Sequence, residues 1–306
     1  MSMKIALFTA GFSNYPIERV FKAAAENGYD GIEIGGFRPH AYAPDLARGG
    51  AARIHQLSEE YGPPIISYAP ENTGSPYSLV FEDSQMNKES LDYFKMTLDM
   101  AKEIGSEYCM FACNHPGYGR NREDVKKLFI ENMQILTEYA EKIEQTIILE
   151  PVTPYEGTII VTSDDVRWAL DQVHSSRFKC MLDLAAPFTC GEPICSYFEK
   201  MGKDVKHIHF VDCEKTSEDH LIPGDGEMDF PRIVSYLKEI GYDGYNALKD
   251  DLNLIISERV TSGALSSRLD RQATLPVDQH FADAFAHTMC EAIENVFQQN
   301  NLALFD

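Results

Sequence analysis

Three residues that could bind a metal ion follow one another along the chain: Glu150, Asp183 and His209. Each comes at the end of a predicted short strand. The three apolar residues 147–149 before Glu150 are of the kind that forms a buried parallel strand. Two carboxylates and an imidazole suit a divalent cation of the Mn²⁺, Co²⁺, Zn²⁺ or Ni²⁺ class. A single polar residue at a strand end is more often simply solvated. Three in succession favour a cation site.

The spacing of these residues predicts where they lie in a fold. They are 33 and 26 residues apart, and a (β/α)8 barrel spends roughly 31 residues on each strand and helix. We therefore expect them to end strands 5, 6 and 7, around the mouth where active sites of such barrels lie. His207 shares a strand face with His209. We expect His207 to pack in the interior or to support a metal ligand.

Strands and helices alternate along almost the whole chain. We predict strands over residues 4–8, 31–34, 64–68, 108–112, 146–149, 178–183 and 205–210, and an eighth from about 245. We predict helices over 16–27, 51–61, 88–104, within 122–143, and over 163–172 with Ser163 as N-cap, 193–201 and 229–240. Strict alternation implies parallel pairing and right-handed crossovers. The prediction is an α/β fold, one (β/α)8 TIM-barrel domain over residues 1–306, with 246–306 an atypical C-terminal segment.

One heptapeptide pattern occurs twice, at residues 26–32 and 239–245. In both copies a glycine, Gly28 or Gly241, stands where a helix would end in the left-handed conformation before a strand. Apolar residues at helical spacing over 281–297 predict a closing helix.

The composition excludes several kinds of partner. Acidic residues outnumber basic ones by 48 to 27, giving a net charge of −21. Such a surface repels phosphate backbones and anionic lipid, so we expect neither nucleic acid nor membrane as a partner. Seven cysteines without a CxxC pair, behind an N-terminus with no signal-peptide pattern, predict reduced thiols in a cytoplasmic protein. The partner we expect is a small molecule, and a homo-oligomer is left open.

Polar and aromatic residues in the predicted loops are further candidates for contacts at the mouth. Tyr68 precedes the loop after strand 3, His115 lies after strand 4, and His220 opens a glycine-rich loop after strand 7. Ordinary turn chemistry is the alternative for each of them. Glu33 alternates with two isoleucines on strand 2 and is expected to point inward. A buried acid needs a partner, and the sequence does not name one.

The sequence resembles the xylose-isomerase-like sugar epimerases, most closely the fructoselysine 3-epimerases, from about residue 4 to residue 245. The motifs that carry this resemblance are Tyr29-Asp30-Gly31-Ile32-Glu33-Ile34, Arg38-Pro39-His40-Ala41-Tyr42-Ala43-Pro44-Asp45-Leu46, Leu149-Glu150-Pro151-Val152-Thr153-Pro154-Tyr155-Glu156, His207-Ile208-His209-Phe210-Val211-Asp212 and Ile222-Pro223-Gly224-Asp225-Gly226. The second of these motifs is the most specific, because the wider superfamily does not share it.

The resemblance implies a metal ion held by Glu150, Asp183 and His209, with Glu156 and His220 contacting substrate. It also implies that Glu150 is one member of an acid/base pair. Epimerisation beside a ketone removes a proton from one face of a carbon and returns a proton to the other face, through an enediolate. A chelated cation stabilises the charge that develops on the substrate oxygens.

The chain departs from the family pattern at strand 8. The family places a second glutamate there, in a pattern close to Tyr-x-x-Val-Glu-Leu, whereas this chain has Lys249 at that position. A protonated lysine cannot coordinate a cation and would repel it. From residue 246 onward the family pattern is absent.

These observations lead to one preferred function and two alternatives. We predict a metal-dependent isomerase that epimerises C3 of a ketose or ketosamine, with fructoselysine as first choice. A catalytically impaired barrel that binds a sugar derivative is the alternative, because of Lys249. A metal-dependent nuclease on the same fold is disfavoured by the acidic charge and by the single metal trio.

Overall fold

The strands form one closed barrel. The structure, a computed structural model, describes residues 4–70, 76–217, 220–248 and 287. Eight parallel strands follow one another around the barrel in chain order, and the last pairs with the first. The predicted (β/α)8 fold is confirmed. The strands are β1 Lys4–Phe8, β2 Gly31–Gly36, β3 Ile65–Pro70, β4 Tyr108–Ala112, β5 Thr146–Glu150, β6 Phe178–Asp183, β7 Val205–His209 and β8 Tyr245–Leu248.

The helices lie in the connections between the strands. They are α1 Ile17–Glu26, α2 Ala43–Asp45, α3 Ala51–Tyr61, α4 Ser84–Glu103, α5 Arg122–Ile143, α6 Ser163–Val173, α7 Ala185–Cys190, α8 Cys195–Met201 and α9 Phe230–Glu239. Both glycines of the repeated heptapeptide have positive φ, 73° at Gly28 and 67° at Gly241, as predicted for helix ends.

Some helix boundaries differ from the prediction for identifiable reasons. Helix α4 begins four residues earlier than expected, because the Asp83 side chain accepts hydrogen bonds from two backbone N–H groups of its first turn. The N-cap of α6 is Thr162 and not Ser163. Thr162 and Asp165 exchange hydrogen bonds in a capping box, which places the N-cap one residue earlier than predicted. Helix α7 was not predicted.

Side chains inside the barrel are stacked in layers along its axis. The lowest layer contains Ala6, Ile66 and Ala247. The next apolar cluster, closer to the C-terminal strand ends, contains Phe8, Ala69, Met110, Ile148 and Met181. Side chains two residues apart on a strand face the same way, so Glu150 follows Ile148 and Asp183 follows Met181. The barrel therefore ends, at its mouth, in a polar layer above an apolar one.

Two structural observations bear on the expectations drawn from composition. Four of the cysteines, Cys109, Cys113, Cys180 and Cys213, are buried free thiols. Within the described ranges, no helix is both long enough and apolar enough to span a membrane. Beyond residue 248 only residue 287 is described. The predictions for Lys249 and for the helical pattern over 281–297 lie outside the described residues.

Candidate active site

The three candidate metal ligands converge at the mouth of the barrel. Glu150, Asp183 and His209 are the last residues of β5, β6 and β7. The His209 Nδ1 atom lies 2.9 Å from Glu150 Oε1 and 3.3 Å from Asp183 Oδ2. All three residues are buried, with 5%, 4% and 0% of their surface exposed. The structure thus brings together the trio that the spacing selected.

The donor set of this trio fits a divalent cation. One potential ligand atom from each residue lies within 4.8 Å of the other two. Two carboxylates buried side by side repel each other unless positive charge lies between them. Mixed carboxylate and imidazole donors are typical of sites for divalent transition-metal ions. Glu150, Asp183 and His209 Nδ1 would hold such an ion.

Glu33 has two buried histidines as the partners that the sequence could not name. Its carboxylate lies 2.7 Å from His207 Nε2 and 3.2 Å from His209 Nε2. All three side chains are fully buried. Burial alone would raise the pKa of Glu33, but the two imidazoles outweigh burial and hold the pKa well below its ordinary value. A second group of potential metal ligands is therefore Glu33, His207 and His209 Nε2.

His220 lies at the edge of the trio. Its Nε2 atom is 3.6 Å from Asp183 Oδ2, and 19% of its side chain is exposed. The imidazole is thus close to the candidate ligands and still accessible to solvent. This position is compatible with the substrate contact that the family resemblance implies.

Asp212 organises the loop that brings His220 to this position. The Asp212 side chain is fully buried and accepts hydrogen bonds from the backbone N–H groups of Cys213, Gly224, Gly226 and Met228. The backbone of Asp212 also pairs with that of Leu221, the residue after His220. This role of Asp212 was not predicted. The glycine-rich segment 224–226 downstream was the available signal.

The glycine-rich segment fits closely around this carboxylate. A side chain at Gly226 would collide with the carboxyl group of Asp212 and with the carbonyl of Cys213. Gly224 has φ 99°, a conformation that favours glycine. The loop after β7 is therefore built around Asp212.

Asp212→Asn is expected to destabilise the protein by about 1–3 kcal/mol. The amide has one oxygen in place of two, so at least one buried N–H group loses its acceptor. Chemical denaturation of the unmodified and variant proteins measures this difference. Asp225→Asn is the matched control, because Asp225 is exposed in the same loop. Equal stability of Asp212→Asn and the unmodified chain would contradict the role given to Asp212.

The family model described as "Xylose isomerase-like TIM barrel" matches residues 21–249 of the chain. The chain belongs to this family.

Two fructoselysine 3-epimerases are similar to this chain over most of its length. The fructoselysine 3-epimerase of Shigella flexneri is 43% identical over 247 residues, which cover 81% of this chain and 90% of the relative. The fructoselysine 3-epimerase of Escherichia coli O157:H7 is 44% identical over 243 residues, covering 79% and 88%.

Solved structures with a similar fold agree with the barrel architecture. The crystal structure of D-psicose 3-epimerase with D-tagatose, from Clostridium cellulolyticum H10, matches with a TM-score of 0.76. It is 17% identical, and the match covers 96% of this chain and 99% of that chain. At this identity the likeness supports the fold alone.

The other residues predicted to contact substrate have varied surroundings. Glu156 is half-buried in the loop after β5, where its carboxylate accepts hydrogen bonds from the backbone N–H and the hydroxyl of Thr153. His115 is half-buried in the loop after β4, and its Nδ1 accepts a hydrogen bond from the Gly117 N–H. Among the described residues, neither side chain belongs to a group of potential metal ligands. Their substrate contacts remain predictions.

Tyr68 is enclosed by apolar side chains. It is fully buried in the large apolar cluster of the molecule, and its hydroxyl donates to the carbonyl of Ala41 over 2.7 Å. In this position the side chain braces the segment after β2. Its contact with substrate remains a prediction.

Proposed function

We propose that this protein is a metal-dependent sugar 3-epimerase that acts on fructoselysine or a closely related ketosamine. The buried trio of Glu150, Asp183 and His209 is the observation that supports this function most strongly. Its donors suit a divalent cation, and it lies at the barrel mouth. The substrate assignment is supported by the 43% identity to a fructoselysine 3-epimerase along most of both chains.

In this proposal the residues of the trio bind the cation and one of them also moves a proton. The cation, when bound, offsets the negative charge that develops on the carbonyl and neighbouring hydroxyl oxygens of the sugar. Glu150, itself a ligand of the cation, takes the proton from C3 on one face of the substrate, and a second acid, which the family pattern places on strand 8, returns a proton to C3 on the other face. Asp183 and His209 would hold the cation together with Glu150. His220 and Glu156 contact the hydroxyl groups of the sugar.

We propose Mn²⁺, Co²⁺, Zn²⁺ or Ni²⁺ as the cation, because all of them accept mixed carboxylate and imidazole donors. Most protein sites bind these divalent metals in the same order of affinity. Affinity therefore does not identify the metal that supports turnover, which has to be measured directly. The test below therefore compares several metals.

Formation of the C3 epimer of fructoselysine is the test of this function. The chain is stripped of metal with a chelator, reloaded with each of the four metals, and incubated with fructoselysine. Chromatography against both epimers then measures conversion. We expect epimer to form with at least one metal and conversion to fall to background in the stripped protein. Fructose, which lacks the amino acid portion, is expected to be converted more slowly. Absence of epimer with every metal would refute the proposed activity.

A second candidate function is a barrel that binds a sugar derivative with little turnover. Lys249 favours it, since the family resemblance places a glutamate ligand at this position. Equilibrium binding of fructoselysine separates the two functions. Micromolar binding without epimer formation would favour the second, whereas binding together with conversion supports the first.

A further inference from the structure

We propose that Glu33 and His207 are positioning residues that hold His209 in the orientation needed to bind a cation through Nδ1. Glu33 lies on β2, and both histidines lie on β7. This inference rests on the cation of the proposed function, but it does not depend on the reaction or the substrate.

The two ring nitrogens of His209 face opposite sets of carboxylates. Nδ1 lies toward Glu150 and Asp183, and Nε2 lies 3.2 Å from both oxygens of Glu33. A neutral imidazole has one N–H and one lone pair. For Nδ1 to give its lone pair to a cation, Nε2 has to bear the hydrogen. Glu33 is the acceptor that favours this tautomer, as carboxylates behind metal-binding histidines do.

His207 in turn fixes the Glu33 carboxylate. Its Nε2 donates to Glu33 Oε2 over 2.7 Å, the shortest contact of the group. The rings of His207 and His209 are nearly perpendicular, at 84°, with centroids 5.4 Å apart. Phe8 stacks on His209 at an interplanar angle of 21°. Stacking on Phe8 thus fixes the plane of the His209 ring. The contact of Nε2 with Glu33 fixes the rotation of the ring within that plane.

Packing alone does not account for a carboxylate at this position. Glu33 is 0% exposed, and the cost of burying a carboxylate is several kcal/mol unless hydrogen bonds offset it. Phe8, the register neighbour of Glu33 on β1, belongs to an apolar cluster inside the barrel together with Ala69 and Met110. An apolar residue of similar size would meet the packing requirement without this cost. We therefore infer that the Glu33 carboxylate serves to orient its two imidazole partners.

A second cation among Glu33, His207 and His209 Nε2 is the competing interpretation. If both sites were filled, His209 would have to bind a metal through each nitrogen, and a neutral imidazole has one lone pair to offer. The single carboxylate of Glu33 lies against two imidazoles, whereas Glu150 and Asp183 share only one, so the need for added positive charge lies at the pair of Glu150 and Asp183. The geometry thus favours support of one cation over binding of a second.

Metal affinity of Glu33→Gln tests this inference. Glutamine has the size of glutamate but lacks its charge, so it holds the Nε2–H tautomer of His209 less strongly. We expect the Kd for Co²⁺, measured by competition with a chelator, to rise about 10- to 100-fold. The visible absorption bands of bound Co²⁺ are expected to shift, because the imidazole donor is less firmly oriented. Bound metal in the unmodified chain should amount to one ion per chain.

The control for general destabilisation is Asn132→Ala. Asn132 is buried between helices and donates to the carbonyl of Leu79 and the side chain of Asn87. We expect this variant to unfold more easily while its Co²⁺ affinity and spectrum stay unchanged. If Glu33→Gln does not fold, His207→Gln replaces it, with a smaller expected loss of affinity because the amide N–H₂ can still donate to Glu33.

The outcomes separate this inference from the proposed function. Unchanged Co²⁺ affinity in the folded Glu33→Gln or His207→Gln variant would overturn the inference, even if the protein is an epimerase. Two ions per chain, falling to one in Glu33→Gln, would also overturn it and identify Glu33 as a ligand. No binding of Co²⁺ by the unmodified chain would overturn it as well. Loss of affinity in a chain that does not epimerise fructoselysine would support it and refute the proposed activity.

Discussion

Glu150→Gln is expected to abolish exchange of the C3 proton of fructoselysine with solvent deuterium, lowering its rate by about 10²- to 10⁴-fold. The amide has nearly the shape of the carboxylate but cannot accept the proton. Its carbonyl oxygen can still contact a cation beside Asp183 and His209. Proton NMR of the substrate in D₂O at saturating metal measures the exchange directly, without requiring net conversion.

Two controls make this result interpretable. Bound metal is quantified in Glu150→Gln, so that loss of the ion is distinguished from loss of the proton acceptor. Glu82→Gln makes the same chemical change at a side chain that is 83% exposed, and it should exchange at the rate of the unmodified chain. Exchange at that rate in metal-loaded Glu150→Gln would remove Glu150 from the acid/base role.

Lys249→Glu is expected to increase both metal affinity and epimerisation, the latter by about 10²- to 10⁴-fold if it restores a missing acid/base group. Lys249 follows β8 directly in the sequence and lies outside the described residues. The expectation therefore rests on the family pattern, which has a glutamate at this position. The substitution returns a negative charge, a ligand and a base together, whereas a protonated amine supplies none of them.

Lys249→Gln separates these contributions. It removes the positive charge without adding a carboxylate, so metal affinity should rise in part while turnover stays low. Steady-state epimerisation and Co²⁺ binding are measured for both variants under the same conditions. If the unmodified chain already turns over at about 10 per second, and Lys249→Glu adds nothing, another residue supplies the second proton and the role given to position 249 is wrong.

The candidate ligands were predictable because their positions depend on local patterns. Apolar runs predicted the strands, and their regular spacing put Glu150, Asp183 and His209 at the ends of adjacent strands. In a parallel barrel, adjacent strand ends are close in space whatever the details of packing. The repeated glycine-containing heptapeptide likewise predicted two helix ends correctly, since it depends only on local backbone conformation.

Other features were not predictable because they depend on contacts between distant parts of the chain. Glu33 and His207 are separated by 174 residues and meet only once the barrel closes. The cage of N–H groups around Asp212 depends on the folding of a loop more than ten residues downstream. The α6 N-cap was misassigned by one residue because Thr162 and Ser163 are both good capping residues. The capping-box partner Asp165 decided between them.

The catalytic centre proposed for this protein depends on one cation held by Glu150, Asp183 and His209 Nδ1. Anomalous X-ray scattering from crystals grown with Mn²⁺, Co²⁺ or Zn²⁺ locates that cation directly. We expect a single peak at the barrel mouth, about 2.0–2.3 Å from a donor atom of each of the three residues. A peak between Glu33, His207 and His209 Nε2, or no peak at the mouth with any of these metals, would contradict the proposed centre.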